Sequence, residues 1–374
     1  MNKLLILTTW DFSAKVSVGI TRKIKAQIKA FERAGYSVNY TFISNSHIYL
    51  NTGRQEIDIG YVGSLRKIKG NLLLWKKLKK YKYKYVYSRY GLADTFYCQL
   101  LKMLHENGSR IVVEIPTYPY DQEKPAGISW QILYDWDKLY RKQLKRYVDR
   151  ILTYSGETSI FGIPTIFAKN GIDIESIPIR HVRKSDGKIN LIAVAGLAKW
   201  HGYDRLIKGL GEYYRKGGRR IVNFHIIGNG PPIAEYKQLI EINELQEHVF
   251  LHGLLYGENL DAAYDNCDIG IENLGFHRTG IKRSSTLKAK EYAAKGLPFV
   301  TSLFLDTFEG EEFVLHVPGD ESNIDINEIV SFYDRLYRDG MGKIWCKKIR
   351  DLAERECAID TTMQPVFSFF QNGE

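Results

Sequence analysis

The sequence predicts an α/β protein with two Rossmann-like domains, each built on a mostly parallel sheet, that face each other across a cleft. Three observations predict this class. A length of 374 residues suits two domains. Short apolar segments alternate with helical segments in two successive series. Polar residues follow many of the predicted strands, where open parallel sheets bind ligands. We expect an N-terminal domain in residues 1–175, a C-terminal domain in residues 176–350, and a C-terminal helix in residues 351–374 that packs back on the N-terminal domain.

The first series opens with a strand at residues 4–7, a polar segment at residues 8–18, and a helix at residues 19–34. Ile24 and Phe31 belong to an apolar set at helical spacing in that helix. Its other strands are predicted at residues 37–42, 110–115 and 150–153, and its other helices at residues 94–106 and 129–147.

The second series begins after the polar stretch at residues 180–188. Its strands are predicted at residues 189–194, 221–227, 249–252, 269–272 and 299–301. Its helices are predicted at residues 203–214, 233–242 and 259–266, at a short segment opened by Ser284, Ser285 and Thr286, and at residues 324–337 and 342–357.

The bulk composition suits a soluble globular protein, with 44% hydrophobic and 26% charged residues. No run of about 18 apolar residues is present, and the N-terminus reads as a strand rather than a secretion signal. The four cysteines lack CxxC or metal-binding spacing, which fits a reduced cytoplasmic setting.

The net charge of +10 is concentrated in the first half of the chain. Residues 75–85 mix lysines with Trp and Tyr, and the lysines of this run lie between Lys76 and Lys84. Such a run suits an anionic membrane surface, a solvated helix face, or single-stranded nucleic acid. We favour peripheral contact with the inner face of the cell membrane, and we expect no nucleic-acid partner.

The segment at residues 279–300 carries the most informative pattern. It reads as a basic loop, a short helix and a strand after Gly-Leu-Pro. A helix start offers unpaired amides and partial positive charge, which suits a phosphate group. We therefore predict that a nucleoside diphosphate contacts this segment and that Glu291, one turn into the helix, accepts hydrogen bonds from its ribose. The predicted diphosphate contacts are Lys282, Arg283, Ser285, Thr286 and Lys288; a solvated basic loop is the alternative.

Other polar residues follow strands of the second series. Gly228 and Gly230 either approach the ligand or only permit a tight turn. Lys199 could neutralise charge that develops on a leaving diphosphate, although its loop could equally be a packing anchor. His277 is a candidate contact for the transferred group.

In the first series, Glu114 could stabilise a cationic reaction centre or merely pair with a nearby lysine. Gly19 opens the first helix. Tyr118, Tyr120 and Asp121 follow Glu114, and they could line a sugar site, since aromatic faces pack on sugar rings.

The chain resembles the GT-B glycosyltransferases, in particular the retaining family 4 group and its bacterial capsule and exopolysaccharide members. The resemblance spans nearly the whole length. It rests on His225-Ile226-Ile227-Gly228-Asn229-Gly230, on Val249-Phe250-Leu251-His252-Gly253, and on the Glu-Tyr-Ala-Ala-x-Gly-x-Pro core that begins at Glu291. Gly19 resembles the family's first-domain glycine loop, and Ala195 to Ile207 resembles the segment that opens its second domain.

Several positions depart from the family pattern. Arg283 stands where the family commonly has the first of two glutamates, while Glu291 matches the second. The family's phosphate-binding Arg and Lys align with Gly196 and His201, so that Lys199 or Arg205 would have to substitute. The loop after Glu114 lacks the family's histidine.

The resemblance implies an enzyme that transfers a hexosyl-type sugar from a nucleoside-diphosphate sugar to a glycan, in lipid-linked form, during surface polysaccharide synthesis. It also implies retention of configuration. The acceptor would bind the N-terminal domain and the donor the C-terminal domain. We expect no cofactor and no required metal, because no DxD pair or metal cluster stands out. Lys and Arg side chains could supply the positive charge in place of a metal ion. Two alternatives stay open: a nucleotide-sugar epimerase of the same fold, and a non-catalytic partner that binds nucleotide or glycan.

Overall fold

The computed structural model describes residues 2–14, 18–121 and 127–372. Residues 15–17, the end of the predicted polar segment before Gly19, lie outside the described residues. The chain divides into two compact units. Unit 1 comprises residues 1–169 and 359–374, and unit 2 comprises residues 170–358.

Unit 1 contains nine strands and six α-helices among the described residues. Its strands are β1 (Lys3–Leu7), β2 (Ser37–Ser44), β3 (His47–Asn51), β4 (Glu56–Tyr61), β5 (Tyr85–Arg89), β6 (Arg110–Ile115), β7 (Arg150–Thr153), β8 (Ser159–Ile160) and β9 (Ile163–Phe167). Its helices are α1 (Val18–Arg33), α2 (Arg66–Leu78), α3 (Thr95–Glu106) and α4 (Ile128–Tyr140), and, at the C-terminus, α11 (Ile359–Thr362) and α12 (Gln364–Asn372).

The unit 1 strands form one sheet in the order β4-β3-β2-β1-β5-β6-β7-β9-β8. The central pairs are parallel, whereas β3 and β4 extend one edge antiparallel. The middle strands are apolar on both faces because each face carries its own core, one of them completed by α1, α11 and α12. The carboxyl ends of β1, β5, β6 and β7 therefore lie at one edge of the sheet.

The elements of unit 2 come next. Its strands are β10 (Ile189–Val194), β11 (Val222–Ile227), β12 (Val249–Gly253), β13 (Ile269–Ile271), β14 (Arg283–Ser284), β15 (Phe299–Thr301), β16 (Phe304–Leu305) and β17 (Val314–His316). Its helices are α5 (Tyr203–Arg215), α6 (Ile233–Ile242), α7 (Gly257–Asp265), α8 (Leu287–Ala294), α9 (Ile326–Tyr337) and α10 (Gly342–Cys357).

The main sheet of unit 2 is parallel throughout its described ladders, in the order β12-β11-β10-β13-β15-β17. Strand order reverses beside β10, whose two neighbours are β11 and β13. Loops that leave the carboxyl ends of strands on either side of such a point form the crevice where open α/β sheets bind ligands. The fold thus places the candidate site of unit 2 at the ends of β10, β11 and β13.

Two of the differences between the predicted segments and the structure concern long stretches of unit 1. The helix predicted at residues 129–147 ends at Tyr140 and continues as a 3-10 helix, Arg141–Arg146. The run at residues 75–85 is not a surface of mixed Lys and Tyr, because Tyr83 and Tyr85 are buried while Lys84 between them is exposed. Trp75 and Tyr81 are half-buried, so the accessible part of this run consists mainly of its lysines, and its contact with a membrane stays a prediction.

In the parts of the chain that the structure describes, no helix is both long and apolar enough to cross a bilayer.

Candidate functional site

The loops after β10 and β11 approach each other closely at the carboxyl edge of unit 2. The amide of Leu197 donates to the carbonyl of Asn229 at 2.9 Å. A Cβ on Gly228 would lie 1.8 Å from the carbonyl oxygen of Ala195, and one on Gly230 would lie 2.0 Å from that of Leu197. Both glycines are thus required by backbone packing, whether or not they also approach a ligand.

The loop after β10 is held against the loop after β13. Gly202 has φ +67°, and a Cβ there would lie 2.6 Å from the Gly275 amide nitrogen. His201 is buried and accepts a hydrogen bond from the Ala198 amide at 3.0 Å. Burial, with the nearby Lys288 charge, lowers the pKa of His201 to about 2. His201 is therefore neutral and does not replace the cation that the family carries at this position.

Arg205 does not replace it either. Its guanidinium is buried and donates to the carbonyls of Leu274, Ser322 and Pro318. These contacts hold two loops in place and engage every nitrogen of the buried guanidinium, so the structure favours a structural role for Arg205 over contact with a phosphate.

Arg278 organises a cluster of ionic groups beside these loops. It forms a bidentate pair with Asp204, at 2.9 Å for both bonds, and a second pair with Glu321 at 2.6 and 2.8 Å. Hydrogen bonds from Arg278 and His277 hold the pKa of Glu321 at about 2. His277 Nε2 lies 2.7 Å from Glu321, whereas its Nδ1 is buried without a partner among the described residues. Predicted as a contact for the transferred group, His277 lies in this cluster.

Lys199 lies at the rim of the same cluster. It lines a pocket of about 280 Å³ together with Asp204, Tyr236, Arg278 and further residues. Its backbone carbonyl accepts from Arg278 at 2.8 Å, which fixes the loop. Its ammonium is exposed and has no ion-pair partner in the described parts of the chain. The side chain is thus available to an anion.

Lys288 reaches from α8 back to the end of β13. Its Nζ lies 3.0 Å from the Tyr203 hydroxyl, 3.2 Å from the Glu272 carbonyl and 3.1 Å from Asn273 Oδ1. Burial lowers its pKa to about 8, although Glu272 and Glu291 act in the opposite direction. Three oxygens match the three donors of an ammonium, so a phosphate would have to displace at least one of them.

The helix start differs from the prediction by three residues. Arg283–Ser284 pairs with Phe304–Leu305 as a short ladder, and α8 begins at Leu287 with Thr286 as its N-cap. The Thr286 hydroxyl accepts from the Ala289 amide at 3.4 Å. Strand pairing thus delays the helix, and the predicted phosphate-binding amides start after Thr286 instead of Ser284.

Ser285 is already engaged in a polar network. Its hydroxyl donates to Asp306 at 2.5 Å and accepts from Lys290 Nζ at 2.6 Å and from the Asn170 amide at 2.9 Å. Lys290 is buried and also pairs with Asp306 at 3.2 Å. These three partners fix the backbone just before α8. They also use the donor and both acceptor positions of the Ser285 hydroxyl, which leaves none for a diphosphate.

The remaining predicted residues of this segment, Lys282, Arg283 and Glu291, differ in how far they are exposed. Lys282 and Arg283 are exposed and have no hydrogen-bond partner for their side chains in the described residues. Glu291 is half-buried on α8 and lies near enough to Lys288 to affect its charge. The carboxyl edge of unit 2 therefore combines unpaired cations with one acidic side chain on the adjacent helix.

Unit 1 gives Glu114 a different setting. Its carboxylate is fully buried at the end of β6, with Lys23 at 2.9 Å, Arg89 at 3.0 Å and the Tyr154 hydroxyl at 2.6 Å. Burial raises its pKa, but the two cations and the hydrogen bonds outweigh this effect and hold the pKa well below its usual range. Glu114 is thus a fixed counter-ion in this structure, which is the pairing that the sequence left open as an alternative.

The other candidates of unit 1 separate into buried and accessible groups. Tyr120 is buried and donates to Asp137 at 2.6 Å, so it supports the loop and is not presented to a sugar. Asp121 is exposed and pairs with Arg141 at 2.9 Å. Tyr118 is half-buried, and Gly19 is exposed at the start of α1. A substituent on Gly19 would meet open space among the described residues.

Several residues of the unit 2 site were missed from the sequence. Glu272 and Asn273 directly follow β13, so the strand-end rule that found Gly228 could also have found them. Asp204 stands in the first turn of α5, and Glu321 lies in a stretch with no recognisable pattern. What they share is a contact with the cationic side chain of Lys288 or Arg278, which comes from a different part of the chain.

Comparison with solved structures identifies the fold. The chain is similar to a glycosyltransferase from Rickettsia africae ESF-5 (TM-score 0.68, 12% identity, 99% of this chain and 97% of that one). It is similar to Anabaena Alr3699/HepE in complex with UDP (0.63, 13%, 99% and 100%). It is also similar to the catalytic domain of starch synthase IV from Arabidopsis thaliana bound to ADP and acarbose (0.64, 11%, 99% and 99%). The protein has the α/β GT-B fold, with two Rossmann-like parallel-sheet units.

The sequence comparison concerns unit 2. Residues 188–331 match the family described as Glycosyl transferases group 1. The matched segment contains the carboxyl edge of β10, β11 and β13, with Lys199, Lys282 and Glu291. No curated protein matches the sequence.

Proposed function

We propose that this protein is a glycosyltransferase that moves a sugar from a nucleoside-diphosphate sugar to a glycan acceptor. The observation that carries the proposal is the set of unpaired cations, Lys199, Lys282 and Arg283, on loops at the carboxyl edge of unit 2. A diphosphate would supply the missing counter-charge. The family match of this segment and the UDP and ADP complexes of structurally similar proteins support the same donor class.

The donor would bind as follows. Lys282, Arg283 and the amides that follow Thr286 hold the diphosphate, and Glu291 accepts hydrogen bonds from ribose hydroxyls. Lys199 stabilises the charge on the leaving group, since preorganised cations act most strongly where charge develops. Lys288 and Ser285 position the segment through their internal contacts. His277 orients the transferred sugar through its pair with Glu321.

The acceptor would be a growing glycan in lipid-linked form, bound near Gly19, Tyr118 and Asp121. We infer a hexosyl-type transfer with retention of configuration in bacterial surface polysaccharide synthesis. These finer points are supported by the family resemblance. With Glu114 held as a counter-ion, the leaving phosphate itself would take the acceptor proton, so that no separate general base is needed.

The decisive experiment uses the purified full chain with sugar donors of UDP, GDP, ADP and CDP, a lipid-linked acceptor extract, and product detection by mass spectrometry. We expect one donor to give an extended acceptor. An epimer formed from the donor alone would establish the epimerase alternative. Nucleotide binding without any product would establish the non-catalytic partner.

Metal dependence can be measured in the same assay. We propose that Lys199, Lys282 and Arg283 provide the positive charge that a divalent cation supplies elsewhere. Activity should then be unchanged by EDTA. Loss of transfer with EDTA, restored by Mg²⁺ or Mn²⁺, would contradict this part of the proposal.

A further inference from the structure

Helix α4 of unit 1 carries an apolar stripe on its outward side. Ile128 is 83% exposed, Ile132 50%, Trp136 42% and Leu139 64%. These positions recur every three or four residues, so they lie on one side of the helix. Soluble surfaces scatter single apolar residues, whereas a contiguous row of large ones marks an interaction site.

The opposite side of α4 is held in the core from Tyr134 onward, whereas Trp130 in its first turn is 42% exposed on that side. Tyr134 and Asp137 are buried in the core of unit 1. Asp137 accepts from the hydroxyls of Tyr90 and Tyr120 and from the Ala93 amide. The contacts of α4 therefore face inward from Tyr134 and Asp137, while the stripe faces away from them.

Basic residues accompany the stripe. Lys138 lies on α4, and Lys142, Lys145 and Arg146 follow in the adjoining 3-10 helix; all four are exposed. Asp135 lies beside the stripe and accepts from Gln131 at 2.8 Å. Four cations against one carboxylate give this surface a positive charge that complements anionic headgroups.

We propose that α4 is a membrane-docking helix, with its stripe in the interfacial layer of an anionic bilayer and its basic residues on the headgroups. A helix with an apolar face that includes Trp and a basic border lies in the plane of such an interface. The region between Lys76 and Lys84 has mostly exposed lysines, whereas its Tyr83 is buried and its Tyr81 half-buried. It can add attraction to the surface but has no comparable apolar row for insertion.

The test is co-sedimentation of the full chain with vesicles made of equal parts phosphatidylglycerol and phosphatidylcholine. The double variant Ile132→Gln with Trp136→Gln should partition at least about tenfold less than the native protein. A matched control, Ile242→Gln with Ile344→Gln, removes two similarly exposed residues of unit 2 and should bind as the native protein does. Circular dichroism should show both variants folded, because all four side chains are exposed.

Charge and self-association provide the remaining comparisons. Lys142→Glu with Lys145→Glu should weaken binding to anionic vesicles and reduce its dependence on salt. Equal vesicle binding by the native protein and the α4 variant would overturn the proposal. So would a change of oligomeric state in sedimentation velocity without a change in vesicle binding, since the stripe would then contact a second copy. No donor or acceptor is present in these measurements, so their failure leaves the proposed function untouched.

Discussion

The two units end their parallel strands with charged residues, but they treat that charge in opposite ways. In unit 1, Glu114 is enclosed by Lys23, Arg89 and Tyr154, and the charges of this buried group are satisfied internally. In unit 2, Lys282 and Arg283 remain exposed beside the start of α8. Polar residues at strand ends therefore predict the position of a site, but only unsatisfied charge distinguishes a ligand contact from a structural pair.

The largest expected effect concerns the satisfied group of unit 1. Glu114→Ala would remove the buried carboxylate that pairs with Lys23 and Arg89, which should cost about 3–5 kcal/mol in the free energy of unfolding. Urea denaturation measures this change. As a control, Glu106→Ala removes an exposed carboxylate 3.7 Å from Lys102 and should cost less than about 1 kcal/mol.

The same group predicts the pH dependence of stability. The pKa of Glu114 is lower in the folded protein than in the unfolded chain. Its contribution to the free energy of unfolding is therefore fully present above the unfolded pKa, about 4.3, and is lost as the pH falls further.

If Glu114→Ala left stability unchanged and abolished transfer instead, Glu114 would be a catalytic residue and the contrast between the units would fail.

The second effect concerns the unsatisfied cations of unit 2. Lys282→Ala combined with Arg283→Ala should weaken nucleotide binding about a hundredfold, because charge-assisted hydrogen bonds contribute roughly 1.5–3 kcal/mol each. Isothermal titration calorimetry with the nucleotide selected by a thermal-shift screen measures it. Stability should be unchanged. Lys347→Ala, which removes an exposed cation of α10, is the control, and equal affinities in all three proteins would contradict the diphosphate assignment.

The third effect tests Glu291. Glu291→Ala should weaken nucleotide binding about tenfold, since a carboxylate that accepts from ribose hydroxyls is lost. The comparison of a nucleoside diphosphate with inorganic pyrophosphate isolates this contact, because pyrophosphate has no ribose. Weakening for both ligands alike would instead mean that Glu291 acts through the charge of Lys288.

The sequence predicted most of the alternating elements, and what it missed depends on long-range contacts. Regular apolar runs such as Arg110–Ile115 and Ile189–Val194 were predicted with the bounds that the structure shows. Strand β5 was missed because it begins at Tyr85, the last residue of a run of tyrosines and lysines that resembles a charged surface segment. The pairing of Arg283–Ser284 with Phe304–Leu305 shifted the start of α8, since strand partners cannot be read from local propensity.

The candidate residues show the same division. The carboxylate of Glu114 was found from its position at the end of a strand, but its charge is neutralised by Lys23 and Arg89, and Tyr154, 40 residues away, donates a further hydrogen bond. Lys288 was found from the helix start, whereas its bonds to Tyr203 and Asn273 follow from tertiary packing. The residue type was visible in the sequence, and the state of its charge was set by the fold.

The smallest expected effect distinguishes two roles for Lys288. This residue is intermediate between the internally paired Glu114 and the unpaired Lys282 and Arg283. Its ammonium has three internal acceptors, yet burial lowers its pKa to about 8. A bound diphosphate favours the protonated form, so above pH 8 binding must be accompanied by proton uptake. Nucleotide affinity should then fall about fourfold between pH 7 and pH 8.5. Lys288→Arg stays charged and should remove this dependence, which also corrects for any titration of the ligand. A flat profile in the native protein would mean that Lys288 keeps its bonds to Tyr203 and Asn273 during binding, and that the diphosphate is held by Lys282 and Arg283 without it.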